Sequence, residues 1–99
     1  MLYAILGRDS SDSLPKRAKT RPSHLAYLQK LVDQGRVVLA GPHPAIDSPD
    51  PGPAGFSGSL IVAEFESLEE AQNWAKDDPY RLSGVFESVE IKPFLQVVP

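Results

Sequence analysis

Leu2 to Leu6 is continuously apolar, with Tyr3 and Ile5 on one face of an extended chain and Leu2, Ala4 and Leu6 on the other. Apolar residues on both faces predict a central strand. Ser10 to Thr20 is polar, with Pro15 and a basic cluster of Lys16, Arg17 and Lys19. It reads as a solvated loop with a short helical turn rather than as a phosphate site. Leu25, Leu28, Leu31 and Val32 then recur at helical spacing. The first main helix is predicted to start near Pro22, where the missing N–H has no partner anyway, and to stop at Gly35. Val37 to Ala40 is predicted as a strand closed by Gly41-Pro42.

Pro42 to Gly58 is rich in Pro, Gly, Asp and Ser. Loops this long are uncommon in small domains and often functional. Ala45, Ile46 and Phe56 are its apolar anchors, so it reads as a flap or packed arm. Ser59 to Phe65 is a second apolar strand. Ser67-Leu-Glu-Glu70 is a capping box that opens a second helix, whose apolar face carries Leu68, Ala71, Trp74 and Ala75. Pro79 forces an end, because the residue before a proline avoids helical geometry. From Val85 to Phe94 apolar and polar residues alternate, which predicts a half-exposed antiparallel strand limited by Pro93.

The order β-α-β-β-α-β in a chain of 99 residues points to one domain spanning 1–99. The expected fold class is α+β, a ferredoxin-like βαββαβ with a four-stranded antiparallel sheet and two helices on one face. The other sheet face is also apolar and has no helix to cover it. A homodimer with two sheets face to face, a dimeric α/β barrel, is the expected assembly.

Composition narrows the functional classes. The chain is 41% hydrophobic and 23% charged, as a globular protein is. A net charge of −3 with scattered basic residues gives no footprint for nucleic acid. There is no cysteine, so disulfides, thiolate nucleophiles and cysteine-bound zinc are excluded. No apolar run approaches the roughly 18 residues of a membrane span, and the opening residues do not read as a signal peptide. The cytoplasm is the default location.

His24 and Asp78 are the candidate chemistry. Each falls on a helix face that is otherwise apolar, and antiparallel helices would bring the start of the first beside the end of the second, near the end of the first strand and Arg8. Buried pairs of this type are expensive and often serve proton transfer. In this placement Asp78 stands at the unfavourable end of a helix dipole and His24 at an end that favours the neutral ring, while their mutual attraction favours the ion pair. The structural alternative is that His24 bonds a backbone carbonyl and Asp78 caps the turn at Pro79. Arg8, Ser59 and Tyr80 are candidate substrate-binding residues. Tyr27 and Trp74 could line a pocket but suit a core as well. His43, Asp47 and Asp50 lack the spacing of familiar metal motifs, so no metal and no cofactor is expected. Ser10, Ser57 and Ser59 have no adjacent base signature.

The segments MLYAILGRD, RPSHLAYLQKLVDQGRVVLAGP, GFSGSLIVAEFESLEEAQNWAKDDPY and GVFESVEIKPF carry a resemblance. Over nearly its full length the chain resembles the YciI-like (YCII-related) family. The resemblance implies a ferredoxin-like fold, a dimeric α/β barrel with a pocket in each protomer, and a His–Asp dyad that maps onto His24 and Asp78. One relative acts as a dehydrochlorinase on a chlorinated hydroxyquinol, and related barrels include muconolactone isomerases. The expected activity is cofactor-free proton transfer on a small, cyclic, oxygenated molecule, of lyase or isomerase type. A non-catalytic small-molecule binder or accessory dimer is the alternative.

Overall fold

The computed structural model describes residues 1–99. The elements run β1 (Leu2–Asp9), α1 (Ser13–Asp33), β2 (Val37–Pro44), a 3₁₀ turn (Gly52–Ala54), β3 (Phe56–Glu64), α2 (Leu68–Lys76), α3 (Pro79–Leu82) and β4 (Phe86–Phe94). The four strands form one antiparallel sheet in the order β2-β3-β1-β4, the ferredoxin-like α+β arrangement. Three helices accompany it rather than two, because the chain restarts as α3 directly after the break at Pro79.

Tyr3, Ile5, Ile61, Ala63 and Phe65 from the sheet meet Leu28 and Leu31 of α1 and Ala71 and Ala75 of α2 in one buried core. The opposite sheet face carries Leu2, Ala4 and Leu6 of β1, which pair in register with Glu64, Val62 and Leu60. No helix of the chain is long and apolar enough to cross a membrane.

The first helix corrects the sequence expectation. It begins at Ser13, so the stretch read as a solvated loop is its N-terminal half. Pro22 lies inside it. Pro22 is exposed, as is Ala18 four residues earlier, so the carbonyl that loses its helical partner faces water. The buried residues of α1 are Ser13, Arg17, His24, Leu28 and Leu31, whereas Leu25 and Val32 are largely exposed. Helical spacing therefore runs through the whole element, but its first half is polar. The helix stops as expected. Gly35 takes φ 69°, Gly35 N–H donates to Val32 O and Arg36 N–H to Leu31 O, which is a Schellman ending.

Two strands run longer than expected. β2 continues through Gly41-Pro42 to Pro44, which an edge strand tolerates. The arm that follows is closed by Ala45 N–H to Gly55 O at 2.9 Å. Ala45 and Ile46 are exposed, and the arm is tied down by buried Pro51 and by Phe56 instead. In β4 a register shift places Asp9 opposite Phe86 and Arg8 opposite Ser88, so Glu87 is the extra residue of a bulge. Strict alternation sets Phe86 apart from Val89 and Ile91. The bulge returns it to their face, where it is buried against Tyr80 and Val85.

Candidate active site

α1 supplies one wall of the site. Residues 17, 24 and 28 are separated by seven and then four positions, so Arg17, His24 and Leu28 share the face turned to the sheet. Arg17 is 7% exposed, and such burial of a guanidinium requires partners. Its Nε donates to Asp9 Oδ2 at 2.7 Å and its Nη2 to Asp9 Oδ1 at 2.8 Å. Nη2 also donates to Ser59 Oγ at 2.9 Å and Gly58 O at 3.2 Å. The guanidinium carbon lies 5.0 Å from the Phe56 ring centroid and 5.1 Å from that of Tyr80, within cation–π range.

His24 is also buried, and its Nδ1 lies 2.7 Å from Asp78 Oδ1. The same Oδ1 accepts the backbone N–H of Tyr80 at 2.9 Å. That bond caps α3, so Asp78 is the N-cap of a new helix and not the last turn of α2. His24 stands in the middle of α1 rather than in its first turn. Both dipole premises of the sequence analysis therefore fall: His24 is remote from a helix end, and Asp78 meets the favourable end of α3. The expected contact and the capping role, set out as alternatives, occur together.

Tyr80 stacks flat on His24, with centroids 3.8 Å apart and planes 5° apart. Phe86 meets the Tyr80 ring edge-on at 5.7 Å. The imidazole is thus fixed in rotation by Asp78 and in tilt by Tyr80. An oxygen of Asp78 that already accepts one N–H is set to accept a second, so the neutral ring is assigned its proton on Nδ1 and its lone pair on Nε2. Nε2 has no protein partner, and no buried side-chain nitrogen or oxygen goes unpaired, so Nε2 reaches open space. That space is a cavity of about 190 Å³ lined by His24, Arg17, Arg21, Ser59 and Tyr80, with Leu28, Ala40 and Ile61 among its apolar walls. Burial pushes the Tyr80 phenol up, while Arg17 and Arg21 pull it down.

The structure brings His24, Asp78, Ser59 and Tyr80 together. Arg8 does not join them. Its side chain alternates with Ile5 and Asp9 and is exposed on the opposite sheet face, with Leu6, His43 and Ser88. Tyr27 and Trp74 stack on one another at 4.8 Å, away from the cavity. No group of three or more His, Asp or Glu side chains is placed to hold a metal. Arg17 and Arg21 line the cavity although no apolar periodicity pointed to them. The available signal was the backward extension of the Leu31–Leu28–His24 stripe to Arg17 and Ser13.

Comparison with known proteins agrees with this architecture. The chain is 60% identical over 97 residues to Protein YciI of Escherichia coli, covering 98% of this chain and 99% of that one. It is 45% identical over 97 residues to an uncharacterised protein of Haemophilus influenzae, with the same coverage. The solved structure of 5-chloro-2-hydroxyhydroquinone dehydrochlorinase (TftG) from Burkholderia phenoliruptrix, in complex with 2,5-dihydroxybenzoquinone, matches with a TM-score of 0.83 and 26% identity. That match covers 96% of this chain and 94% of the other. The family model of the YCII-related domain matches residues 1–95, and the chain belongs to that family.

Proposed function

We propose that this protein catalyses proton transfer on a small, cyclic, oxygenated molecule, as a lyase or isomerase, with His24 and Asp78 as its working pair. The observation that carries the proposal is the 2.7 Å contact between His24 Nδ1 and Asp78 Oδ1 in the wall of a cavity that the other ring nitrogen faces. His24 Nε2 takes a proton from a ring carbon or hydroxyl. Asp78 holds the ring orientation and balances the imidazolium that forms. In an isomerisation the proton returns at another position. In an elimination a leaving group departs with its bonding electrons as an anion. Ser59 and Tyr80 position the substrate, and the chemistry is assigned to side chains alone. The likeness to a dehydrochlorinase solved with a dihydroxybenzoquinone supports both the reaction type and the ring-shaped substrate.

The test is turnover of chlorinated hydroxyhydroquinones and hydroxylated ring lactones, read as chloride release and as ring-proton exchange in deuterium oxide. His24→Ala is expected to lower the rate by about 100-fold or more with the fold retained. A folded His24→Ala protein with undiminished rate would refute the proposal.

A non-catalytic binder is the second reading. It is favoured by the structural task of Asp78, which caps α3 through Tyr80 N–H. It requires a ligand recovered unchanged and bound equally well by Asp78→Asn.

A further inference from the structure

Among the residues that line the His24 cavity are two arginines, one histidine, one serine and one tyrosine, and no aspartate or glutamate. The two acids bonded to lining residues are not themselves part of the lining. Asp9 is spent on Arg17 and Asp78 on His24, and their side chains are 2% and 4% exposed. Arg21 lies one helical turn after Arg17 on α1, is exposed at the cavity, and has no carboxylate partner. Ser59 Oγ accepts a bond from Arg17, which leaves its own hydroxyl proton free to donate. The Tyr80 phenol carries an O–H that can donate. Apart from the His24 Nε2 lone pair, the polar side chains of the lining are thus donors, and Arg21 is the cation among them that no carboxylate neutralises. Leu28 and Ile61 supply an apolar surface alongside.

Volume limits the guest. A dry cavity of about 150 Å³ holds one benzene ring. The cavity here is about 190 Å³, space for one six-membered ring with a few oxygen substituents.

We propose that the cavity selects ring molecules that carry a negative charge, a carboxylate or an acidic enolate, with the charged oxygen at Arg21 and Arg17 and the ring against Leu28 and Ile61. Arg21 is the specificity residue and Arg17 the fixed donor behind it. This inference rests on the proton-transfer reading of the same site and adds the charge of the substrate to it. It also assigns the arginines a role in the reaction. A proton taken from a ring bearing an oxygen leaves negative charge on that oxygen, and the Arg21 cation with the Arg17 N–H groups at the same end stabilises it.

Calorimetric titration of the intact protein with 2,5-dihydroxybenzoate and with its neutral counterpart, 2,5-dihydroxybenzamide, tests the inference. The anion is expected to bind about tenfold more tightly than the amide, as one charge-assisted hydrogen bond allows. Arg21→Gln, an exposed change that the fold tolerates, is expected to erase that difference by weakening the anion alone. Equal affinity for the two probes, an anion preference that survives Arg21→Gln, or no binding of the anion would each overturn it. Charge-blind binding with turnover still dependent on His24 would remove this inference and leave the proton-transfer reading standing. Charge-selective binding with no proton transfer on any ring would do the reverse.

Discussion

Replacing Asp9 would leave the largely buried Arg17 guanidinium without its carboxylate partner. The two side chains are 2% and 8% exposed and joined by two short bonds. Removing one partner of such a pair leaves an uncompensated buried charge, at a cost of about 3–5 kcal/mol. Asp9→Asn is therefore expected to lower stability by that amount in urea denaturation, and Asp9→Leu combined with Arg17→Leu by less. Tyr27 makes a second prediction at this scale. Its hydroxyl donates to Trp74 O at 2.9 Å and is pushed up from 10.0 to about 12, first by burial and then by the Asp77 and Asp78 carboxylates. The unfolded chain releases this proton near pH 10 and the folded chain near pH 12. Its contribution to stability is complete below pH 10 and is lost as the pH rises through 12. Urea midpoints measured between pH 10 and 12 are expected to fall more steeply for the wild type than for Tyr27→Phe. Equal slopes would refute the assignment. His24 and Asp78 were legible in the sequence because each interrupts an apolar face. Arg17 was not, because its face of α1 is polar where Arg17 stands, and only its partners on β1 and β3 make that face an interior one.

Strand contacts set the tolerance of each element to change. A Cβ on Gly58 would run into the backbone carbonyl of Gly7 on the paired strand, which cannot move without breaking the β1–β3 ladder. A Cβ on Gly7 would meet the Phe86 ring at 2.8 Å, and a side chain can give way. One on Gly41 would meet nothing. Thermal unfolding of the three alanine variants is expected to rank Gly58→Ala as the most damaging, at about 2 kcal/mol or more, then Gly7→Ala, with Gly41→Ala close to wild type. A different order would contradict the register. The capping box was read correctly in its main bond, Glu70 N–H to Ser67 Oγ at 3.1 Å. The Glu70 side chain reaches one residue further back than the motif requires, to Glu66 N–H, and also pairs with Arg36. The longer α1, the bulge in β4 and the added α3 escaped prediction. The first two depend on partners far away in sequence, whereas α3 is a single turn set locally by Asp78 and Pro79.

At the scale of the whole molecule, the sheet face opposite the helices is the unfinished part. Leu2, Ala4, Leu6 and Leu60 are half-buried there, and Leu39 at its edge is 49% exposed. Contiguous apolar surface of this kind calls for a partner. We propose that a second copy covers it, sheet against sheet. Sedimentation at micromolar concentration is expected to give a dimer, and Leu6→Glu a monomer that retains its helical signal. A wild-type monomer would refute the pairing. The His24 cavity lies on the helix side of the sheet, with its walls from α1, β2, β3 and α3 of one chain.

Apolar spacing along the chain determined the strand order, two of the three helices, the antiparallel sheet, the stop at Gly35 and the meeting of His24 with Asp78, because these follow from local periodicity and from short connections between neighbouring elements. Tertiary structure decided what surrounds that meeting. Burial of a charge is worthwhile only where several partners converge on it. Asp9, Ser59 and the aromatic rings that enclose Arg17 come from different elements. Their convergence carried α1 past Pro22, turned Arg17 inward and left Arg8 outside.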